Sequence, residues 1–352
     1  MVVESDERWM KLALKEGQQS LGLTSPNPSV GAVIVREEKL LGSGFHHKAG
    51  QPHAEREAIA EAKKAGHNLR GATIYITLEP CSTVGRTGAC TTAILENKFS
   101  RVVWAIDDPN SNHRGIARQL LESKGIKVKT GICQAEAKDL HRAFFKVQKT
   151  GLPWITLKLA MSLDGRLTRP PSESSWLTSK EAREDVQSLR LQADVMLTSG
   201  VTARVDDPLL TYRGSCEEKE QPLRIVVSQK KDGGLQSNAN LLNKAQSETR
   251  FWKSLDQERF ISLAKEGKQH VLVEAGGQLA GELFSLDLVD ELVVYLSPII
   301  CGGETLSVSK DCFKSLADSI SLKNISYRKI GSDIRMRGFL CEKNENLRKL
   351  LR

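Results

Sequence analysis

The sequence lacks the features of membrane, secreted and disulfide-stabilised proteins. It has no run of about 18 apolar residues, the length that a membrane-spanning helix needs. Four of its first eight residues are charged, and this segment lacks the apolar middle of a signal peptide. Seven cysteines scattered over 352 residues are an odd number, which argues against a disulfide framework. These absences predict a cytoplasmic protein that has no membrane partner.

The chain also lacks a G-x-G-x-x-G motif after any predicted strand, so a dinucleotide site of that kind is unsupported. No internal repeat or low-complexity tract is present. Its 39% hydrophobic and 27% charged residues are typical of a globular protein. The net charge of +8 favours anionic partners, which include nucleic acids, phosphorylated small molecules and dinucleotide cofactors.

The length of 352 residues exceeds one ordinary hydrophobic core, which predicts two domains. Strand patterns alternate with helix patterns in both halves, and this alternation favours mainly parallel sheets covered on both faces. Glycine and proline interrupt the chain at 149–153. We therefore predict one domain at 1–150, a second at 151–341 and a basic tail at 342–352. In the first domain we expect a hairpin turn at Glu37-Glu38 and one helix over 135–147.

A set of metal-ligand residues lies in the first quarter of the chain. His53 precedes Glu55 by two positions, and Cys81 and Cys90 follow. One imidazole and two thiolates supply three zinc ligands and leave the fourth position open, as in catalytic zinc sites. Zinc nucleobase deaminases combine H-x-E with P-C-x-x-C and use the glutamate to carry protons. Eight residues separate the cysteines here instead of two, so the intervening loop must fold back for Cys90 to reach the metal.

The second half offers two weaker candidates. A predicted strand at 270–273 runs into Gly276-Gly277 and then a helix, and amides at such a turn can bind phosphate. A polar segment at 199–210 follows another apolar strand, and we expect it to be a loop. Ligands bind at strand ends in α/β sheets, but taken alone such features are more often an ordinary turn and an acidic surface loop.

Several motifs resemble the bifunctional riboflavin-biosynthesis deaminase/reductase family. In the first half they are PNPSVG at 26–31, GSGFH at 42–46, HAE at 53–55, EPC at 79–81, GRT at 85–87 and DPN at 108–110. In the second half they are LKLAMSLDGR at 157–166, ESSWLT at 173–178, DDPL at 206–209, VEAGG at 273–277 and LVDEL at 288–292. The resemblance therefore covers nearly the whole chain.

This resemblance implies an α/β chain with a cytidine-deaminase-like three-layer domain followed by a dihydrofolate-reductase-like domain. It implies zinc-dependent deamination of 2,5-diamino-6-(5-phosphoribosylamino)pyrimidin-4(3H)-one. Reduction with NADPH would then give 5-amino-6-(5-phosphoribitylamino)uracil. One Zn2+ would be held by His53, Cys81 and Cys90, and Glu55 would be the catalytic residue. We also expect a homo-oligomer that takes small phosphorylated pyrimidines and no nucleic acid.

The resemblance also implies two sets of contact residues. The substrate would contact Asn27, His46, Arg86 and Asp108 in the first half, and Lys158, Ser174, Arg190, Leu209, Arg213 and Glu274 in the second. The cofactor would contact Ala160, Trp176, Thr202, Asp206 and a turn comprising Gly276, Gly277, Gln278, Leu279, Ala280, Gly281 and Glu282. Arginine forks such as Arg190 and Arg213 suit a 5-phosphate.

The chain departs from the family pattern inside the loop between the cysteines. It has Thr83-Val84 where the family has His and an aromatic residue or a second His, and Gly88-Ala89 where it has Pro-Pro. Glycine in place of proline predicts a more mobile loop.

Two other functions share parts of the pattern. One is a tRNA base deaminase with an accessory domain, and the other is a binding protein with a structural zinc, which would need a fourth protein ligand.

Overall fold

The chain divides into two compact units, Met1–Gly151 and Leu152–Arg352, in a computed structural model that describes residues 2–82, 88–110, 114–167, 176–302 and 319–340. No helix in these ranges is long and apolar enough to cross a membrane. The predicted basic tail at 342–352 lies outside the described residues.

The first unit is a five-stranded sheet between two layers of helices. Its strands are β1 Gly31–Arg36, β2 Lys39–Phe45, β3 Thr73–Ile76, β4 Arg101–Trp104 and β5 Lys127–Thr130. Its helices are α1 Val2–Gln18, α2 Ala54–Lys64, α3 Cys90–Glu96, α4 Ile116–Ser123, α5 Gln134–Leu140 and α6 Arg142–Thr150. Alternate residues of β1 belong to different cores: Ala32 and Ile34 pack with α2, α3 and α4, whereas Val33 and Val35 pack with α1, α5 and α6. This alternation produces three layers.

The sheet order in this unit is β2-β1-β3-β4-β5, and the prediction of a mainly parallel sheet is wrong here. The β1 strand is antiparallel to both β2 and β3, and only the β3–β4 and β4–β5 pairs are parallel. The predicted turn explains the first antiparallel pair, since Glu37 and Glu38 both have positive φ, at 51° and 58°. A two-residue turn of that type joins antiparallel neighbours.

Two further features of the first unit differ from expectation. The predicted single helix over 135–147 is two helices, α5 and α6, which meet at His141. The sequence interpretation also missed α1. This helix lies against the start of β1 so closely that a Cβ atom on Gly31 would be 2.1 Å from the Ala13 carbonyl oxygen and 2.3 Å from the Gly17 nitrogen. Glycine at position 31 therefore permits the packing of α1 on the sheet.

The second unit is an eight-stranded sheet in the order β12-β13-β11-β6-β10-β7-β8-β9. Its strands are β6 Trp154–Met161, β7 Val195–Ser199, β8 Leu223–Val227, β9 Thr249–Trp252, β10 His270–Glu274, β11 Glu291–Leu296, β12 Leu322–Ile330 and β13 Asp333–Leu340. Its helices are α7 Lys180–Gln192, α8 Gly200–Asp206, α9 Gln257–Lys265 and α10 Gly277–Ser285, with short 3-10 turns at Lys231–Gly234 and Asn240–Leu242. The strands from β11 through β9 are parallel, and β12 and β13 add an antiparallel edge.

The loop that we predicted at 199–210 is largely wrong. Helix α8 occupies Gly200–Asp206, because Ser199 caps it by accepting a hydrogen bond from the Thr202 amide at 3.0 Å. The predicted turn at 276–282 is also too long, since α10 begins at Gly277 and only two residues join it to β10. Both segments still follow the carboxyl ends of neighbouring parallel strands, β7 and β10.

Candidate functional site

Local structure brings His53, Cys81 and Cys90 together from three separate elements. His53 is the extended residue that precedes α2. Cys81 lies shortly after the end of β3, and Cys90 is the first residue of α3. Their ligand atoms all lie within 4.8 Å of one another. Among the described residues this is the one cluster of His, Cys, Asp and Glu side chains with metal-binding geometry.

The distances within this cluster fit tetrahedral zinc. His53 Nδ1 lies 3.5 Å from Cys81 Sγ and 3.3 Å from Cys90 Sγ. Zinc bonds of about 2.0 Å to nitrogen and about 2.3 Å to sulfur, at a tetrahedral angle, separate such atoms by about 3.5 Å. The Cys90 amide also donates to Cys81 Sγ at 3.3 Å, which fixes one cysteine against the other. The donor set therefore matches a zinc site with one open position.

Glu55 lies beside the cluster on the first turn of α2 and is 3% exposed. Burial raises its pKa, which favours a protonated carboxyl group. By contrast, a hydrogen bond with Cys90, together with His53, lowers the pKa of the Cys81 thiol to about 4. The site thus holds a thiolate suited to a metal and a buried carboxyl group that can exchange a proton.

A cavity of about 310 Å³ opens onto these residues. His53, Glu55 and Cys81 form one part of its wall, and the predicted substrate residues Asn27, His46 and Asp108 form another. Asn27 Nδ2 lies 3.0 Å from His46 Nε2, and His46 Nδ1 lies 3.0 Å from the Pro52 carbonyl oxygen. These contacts fix the His46 ring, and burial lowers its pKa, which favours the neutral form. The predicted Arg86 lies outside the described residues.

The cavity also has lining residues that the sequence interpretation missed. They are Pro28, Val30, Leu78, Glu79, Asn110, Phe144 and Gln148. The buried Glu79 accepts hydrogen bonds from the Asp108 amide at 3.2 Å and the Gly115 amide at 2.8 Å, so it orders the segment that carries Asp108. Its position in Glu-Pro-Cys was a signal that could have identified it. Phe144 and Gln148 belong to α6, and only tertiary packing brings them to the cavity.

In the second unit, the predicted substrate residues meet at the sheet. Lys158 of β6 and Glu274 of β10 are paired neighbours in the parallel ladder. Arg190 of α7 donates to both Glu274 carboxylate oxygens, at 2.8 and 3.0 Å, and to the Thr211 carbonyl at 3.1 Å. The Lys158 ammonium lies 5.9 Å from the centre of the Tyr295 ring. These contacts assemble two cations around one half-buried carboxylate.

Neighbouring charges determine the ionisation of Glu274 and Lys158 in this cluster. Burial disfavours the Glu274 carboxylate, but Arg190 and Lys158 outweigh burial and hold its pKa at about 2. Burial lowers the pKa of Lys158, and the attraction of Glu274 partly opposes that shift. Arg213 is exposed, and its guanidinium donates to the Thr211 hydroxyl at 3.2 Å. The cluster presents a largely shielded anion–cation pair and a nearby exposed arginine.

The predicted cofactor residues divide into two groups. Ala160, Thr202, Gly276 and Gly277 are half-buried near the carboxyl ends of β6, β7 and β10, and Asp206, Gln278 and Glu282 are exposed. Leu279, Ala280 and Gly281 are buried on the inner side of α10 and pack in the core. The Leu209 carbonyl accepts a hydrogen bond from the buried Arg224 at 3.2 Å. Trp176 is 60% exposed below the Arg183 guanidinium, and Ser174 lies outside the described residues.

Comparisons with known proteins match both units. The family model of the cytidine and deoxycytidylate deaminase zinc-binding region matches residues 3–106, and that of the RibD C-terminal domain matches 153–336. The riboflavin biosynthesis protein RibD of Escherichia coli (strain K12) is 37% identical over 361 residues, with 94% of this chain and 98% of the relative covered. The chain belongs to the RibD family. The RibD protein of Aquifex aeolicus (strain VF5) is 36% identical, with 95% and 98% covered.

Solved structures of RibD proteins have the same fold. Acinetobacter baumannii RibD, form 1, has a TM-score of 0.87 at 33% identity, with 97% of this chain and all of that chain covered. A Thermotoga maritima structure has a TM-score of 0.87 at 29% identity, with 97% of this chain covered. It is described as a diaminohydroxyphosphoribosylaminopyrimidine deaminase/5-amino-6-(5-phosphoribosylamino)uracil reductase.

Membership of the RibD family establishes the activity. The chain is a bifunctional deaminase and reductase of riboflavin biosynthesis, and it acts on small pyrimidine substrates. Its cofactors are Zn2+ for the deaminase and NADPH for the reductase. The predictions of a cytidine-deaminase-like domain followed by a reductase domain, of two activities and of two cofactors are confirmed.

Proposed function

We propose that the first unit deaminates 2,5-diamino-6-(5-phosphoribosylamino)pyrimidin-4(3H)-one, with His53, Cys81 and Cys90 as zinc ligands and Glu55 as proton carrier. The observation that carries this assignment is the convergence of three zinc-type ligand atoms, with two of the ligand residues, His53 and Cys81, lining the cavity beside the buried Glu55. When bound, zinc supplies the Lewis acidity that makes a water molecule reactive near neutral pH.

The protein side chains then have separate tasks in the cavity. In its ionised form Glu55 takes a proton from the attacking water, and it then delivers that proton to the departing amine. Burial raises its pKa and so favours the protonated form that makes this delivery. Asn27 and the neutral His46 form a fixed polar edge at the cavity wall that orients the pyrimidine ring. Asp108 completes the polar lining, and Glu79 keeps its segment in place.

For the second unit we propose reduction of 5-amino-6-(5-phosphoribosylamino)uracil to the ribityl product. NADPH supplies the hydride when bound. Lys158, Arg190 and Glu274 form the polar cluster that receives the ribosyl group, and Arg213 is an exposed partner for its phosphate. The amides that begin α10 have no side-chain cap, and a Cβ on Gly276 would meet nothing within 4 Å. This open helix start suits a cofactor phosphate.

The finer description of partners is part of the same proposal. We infer phosphorylated pyrimidine substrates, no nucleic-acid or membrane partner, a homo-oligomer and a cytoplasmic location. The net charge of +8 suits phosphorylated ligands. A cavity of about 310 Å³ suits a small molecule. A tRNA deaminase would instead bind tRNA with a steep dependence on salt, and a structural zinc would have four protein ligands and no exchangeable water.

The test is a crossed pair of variants, Glu55→Gln and Lys158→Ala. Each purified protein is incubated with the diaminopyrimidine substrate, or with the aminouracil and NADPH, while ammonia and NADPH absorbance are followed. Glu55→Gln should release no ammonia, retain one zinc and reduce the supplied aminouracil normally. Lys158→Ala should release ammonia normally and fail to reduce the supplied aminouracil. Loss of zinc in Glu55→Gln, normal ammonia release by it, or equal damage to both steps in Lys158→Ala would contradict the assigned roles.

A further inference from the structure

Arg56 directly follows the proposed proton carrier Glu55 on α2, but its side chain reaches a different part of the site. Its Nη2 atom donates to the Gly88 carbonyl at 2.8 Å and to the Ala89 carbonyl at 3.2 Å. Its Nε atom donates to the Gly88 carbonyl at 3.2 Å. One guanidinium therefore grips two consecutive carbonyl groups immediately before Cys90.

The backbone of Gly88 and Ala89 determines where Cys90 lies. Ala89 is the residue that precedes α3, and no side chain caps the helix there. Cys90 is the first helical residue, and its amide contacts Cys81 Sγ. A movement of the Gly88–Ala89 backbone would therefore move Cys90 Sγ relative to His53 and Cys81.

Residue 88 is a glycine, which restricts its backbone less than any other residue would. Glycine loses more conformational entropy on ordering than any other residue, so this segment needs an external contact to become rigid. A Cβ atom added to Gly88 would lie 3.1 Å from Arg56 Nη2, which shows how closely the guanidinium lies against the backbone. The small residue and the arginine therefore fit one another.

We propose that Arg56 is a positioning residue that holds Cys90 in place for the metal. It ties the end of the loop between the cysteines to α2, the helix that His53 precedes and that carries Glu55 in its first turn. The proposal rests on the proposed zinc assignment. Without the guanidinium, the Gly88–Ala89 segment gains freedom, Cys90 spends less time in its ligating position, and zinc leaves faster. Groups that orient metal ligands typically change metal affinity by about 10- to 100-fold.

The experiment measures zinc release from the full-length protein to a chromogenic chelator. Arg56→Ala should release zinc at least about 10-fold faster than the unmodified protein. Arg56→Lys keeps one charged donor and should restore part of the retention. Arg36→Ala is the matched control, since Arg36 Nη1 also donates to a backbone carbonyl, that of Asn68, at 2.9 Å in the same unit. It should release zinc at the unmodified rate.

A spectroscopic readout separates positioning from general destabilisation. In cobalt-substituted protein, Arg56→Ala should weaken the thiolate-to-cobalt charge-transfer band, whereas Arg36→Ala should leave it unchanged. Unaltered zinc release and an unaltered band in Arg56→Ala would overturn the proposal. So would an equal loss of stability with and without zinc, because that result indicates a merely structural role.

A cysteine variant distinguishes failure of this proposal from failure of the zinc assignment. Cys90→Ser should lose most of its zinc if Cys90 is a ligand. If Cys90→Ser loses zinc and Arg56→Ala does not, the ligand assignment stands and the positioning role is refuted. If Cys90→Ser keeps zinc at full stoichiometry and affinity, the assignment itself is wrong and the proposal falls with it.

Discussion

Asp6 is the centre of a buried ion network that joins α1 to three strands of the first unit. Its side chain is 1% exposed. One carboxylate oxygen accepts from Tyr75 of β3 and Arg101 of β4, both at 2.8 Å. The other accepts from Arg101 and from Lys129 of β5, both at 2.7 Å. We predict that Asp6→Asn destabilises the first unit in a pH-dependent way.

The magnitude follows from the pKa of Asp6. Burial opposes its ionisation, but Arg101, Lys129 and Tyr75 outweigh burial and hold its pKa at about 2, against an ordinary value of 3.8. Such a shift corresponds to about 2 kcal/mol at pH 7. Because the folded-state pKa is depressed, this stabilisation is fully present above about pH 5 and is lost as the pH falls towards 2. About half of it remains at pH 3.

The assay must read each unit separately, because a two-unit chain need not unfold in one transition. Urea denaturation with pulsed deuterium labelling, followed by mass spectrometry of peptides from each unit, provides this. Asp6→Asn should lower the free energy of unfolding of the first unit by about 2 kcal/mol at pH 7 and by about half as much at pH 3. Glu7→Gln is the control, since Glu7 lies in the same helix and forms an exposed pair with Lys11 at 3.9 Å. Equal losses at both pH values would refute the reasoning.

Two further substitutions test the packing that supports each site. Gly31→Ala should cost the first unit about 3 kcal/mol, because its methyl group would meet the Ala13 carbonyl oxygen at 2.1 Å; an unchanged urea midpoint would contradict this. Arg224→Met should cost the second unit about 3 kcal/mol or more, because the fully buried guanidinium donates to the carbonyls of residues 209, 240, 241, 243 and 247. Ammonia release by the first unit should persist in Arg224→Met, and its loss would show that the damage is not local.

The sequence predicted the zinc cluster better than the cluster in the second unit, for a physical reason. Zinc accepts few ligand types. Each ligand also lies next to a local sequence pattern: His53 precedes a helix, Cys81 ends a Glu-Pro-Cys motif after a strand, and Cys90 begins a second helix. Such patterns can be recognised from a few consecutive residues. The antiparallel pairing of β1 with β3 was missed, because strand alternation does not encode the order in which strands pair.

The contacts that could not be predicted from the sequence are those between residues far apart in the chain. No local pattern pairs Arg190 with Glu274, because they are 84 positions apart and meet only after α7 packs on the sheet. Phe144 reaches the deaminase cavity in the same way, through the packing of α6. Helix α8 was missed because Ser199, which caps it, also suits an ordinary polar loop.

The pairing of Arg190 with Glu274 also limits what each residue can do. A guanidinium that already donates to both carboxylate oxygens and to the Thr211 carbonyl has few donors left for a substrate phosphate. Arg213 is exposed and is the better candidate for that phosphate. Arg190 instead keeps Glu274 ionised beside Lys158, and the charge of that carboxylate in turn favours the charged form of the lysine. Substitution of Arg190 should therefore alter reduction through Glu274 and Lys158 more than through phosphate binding.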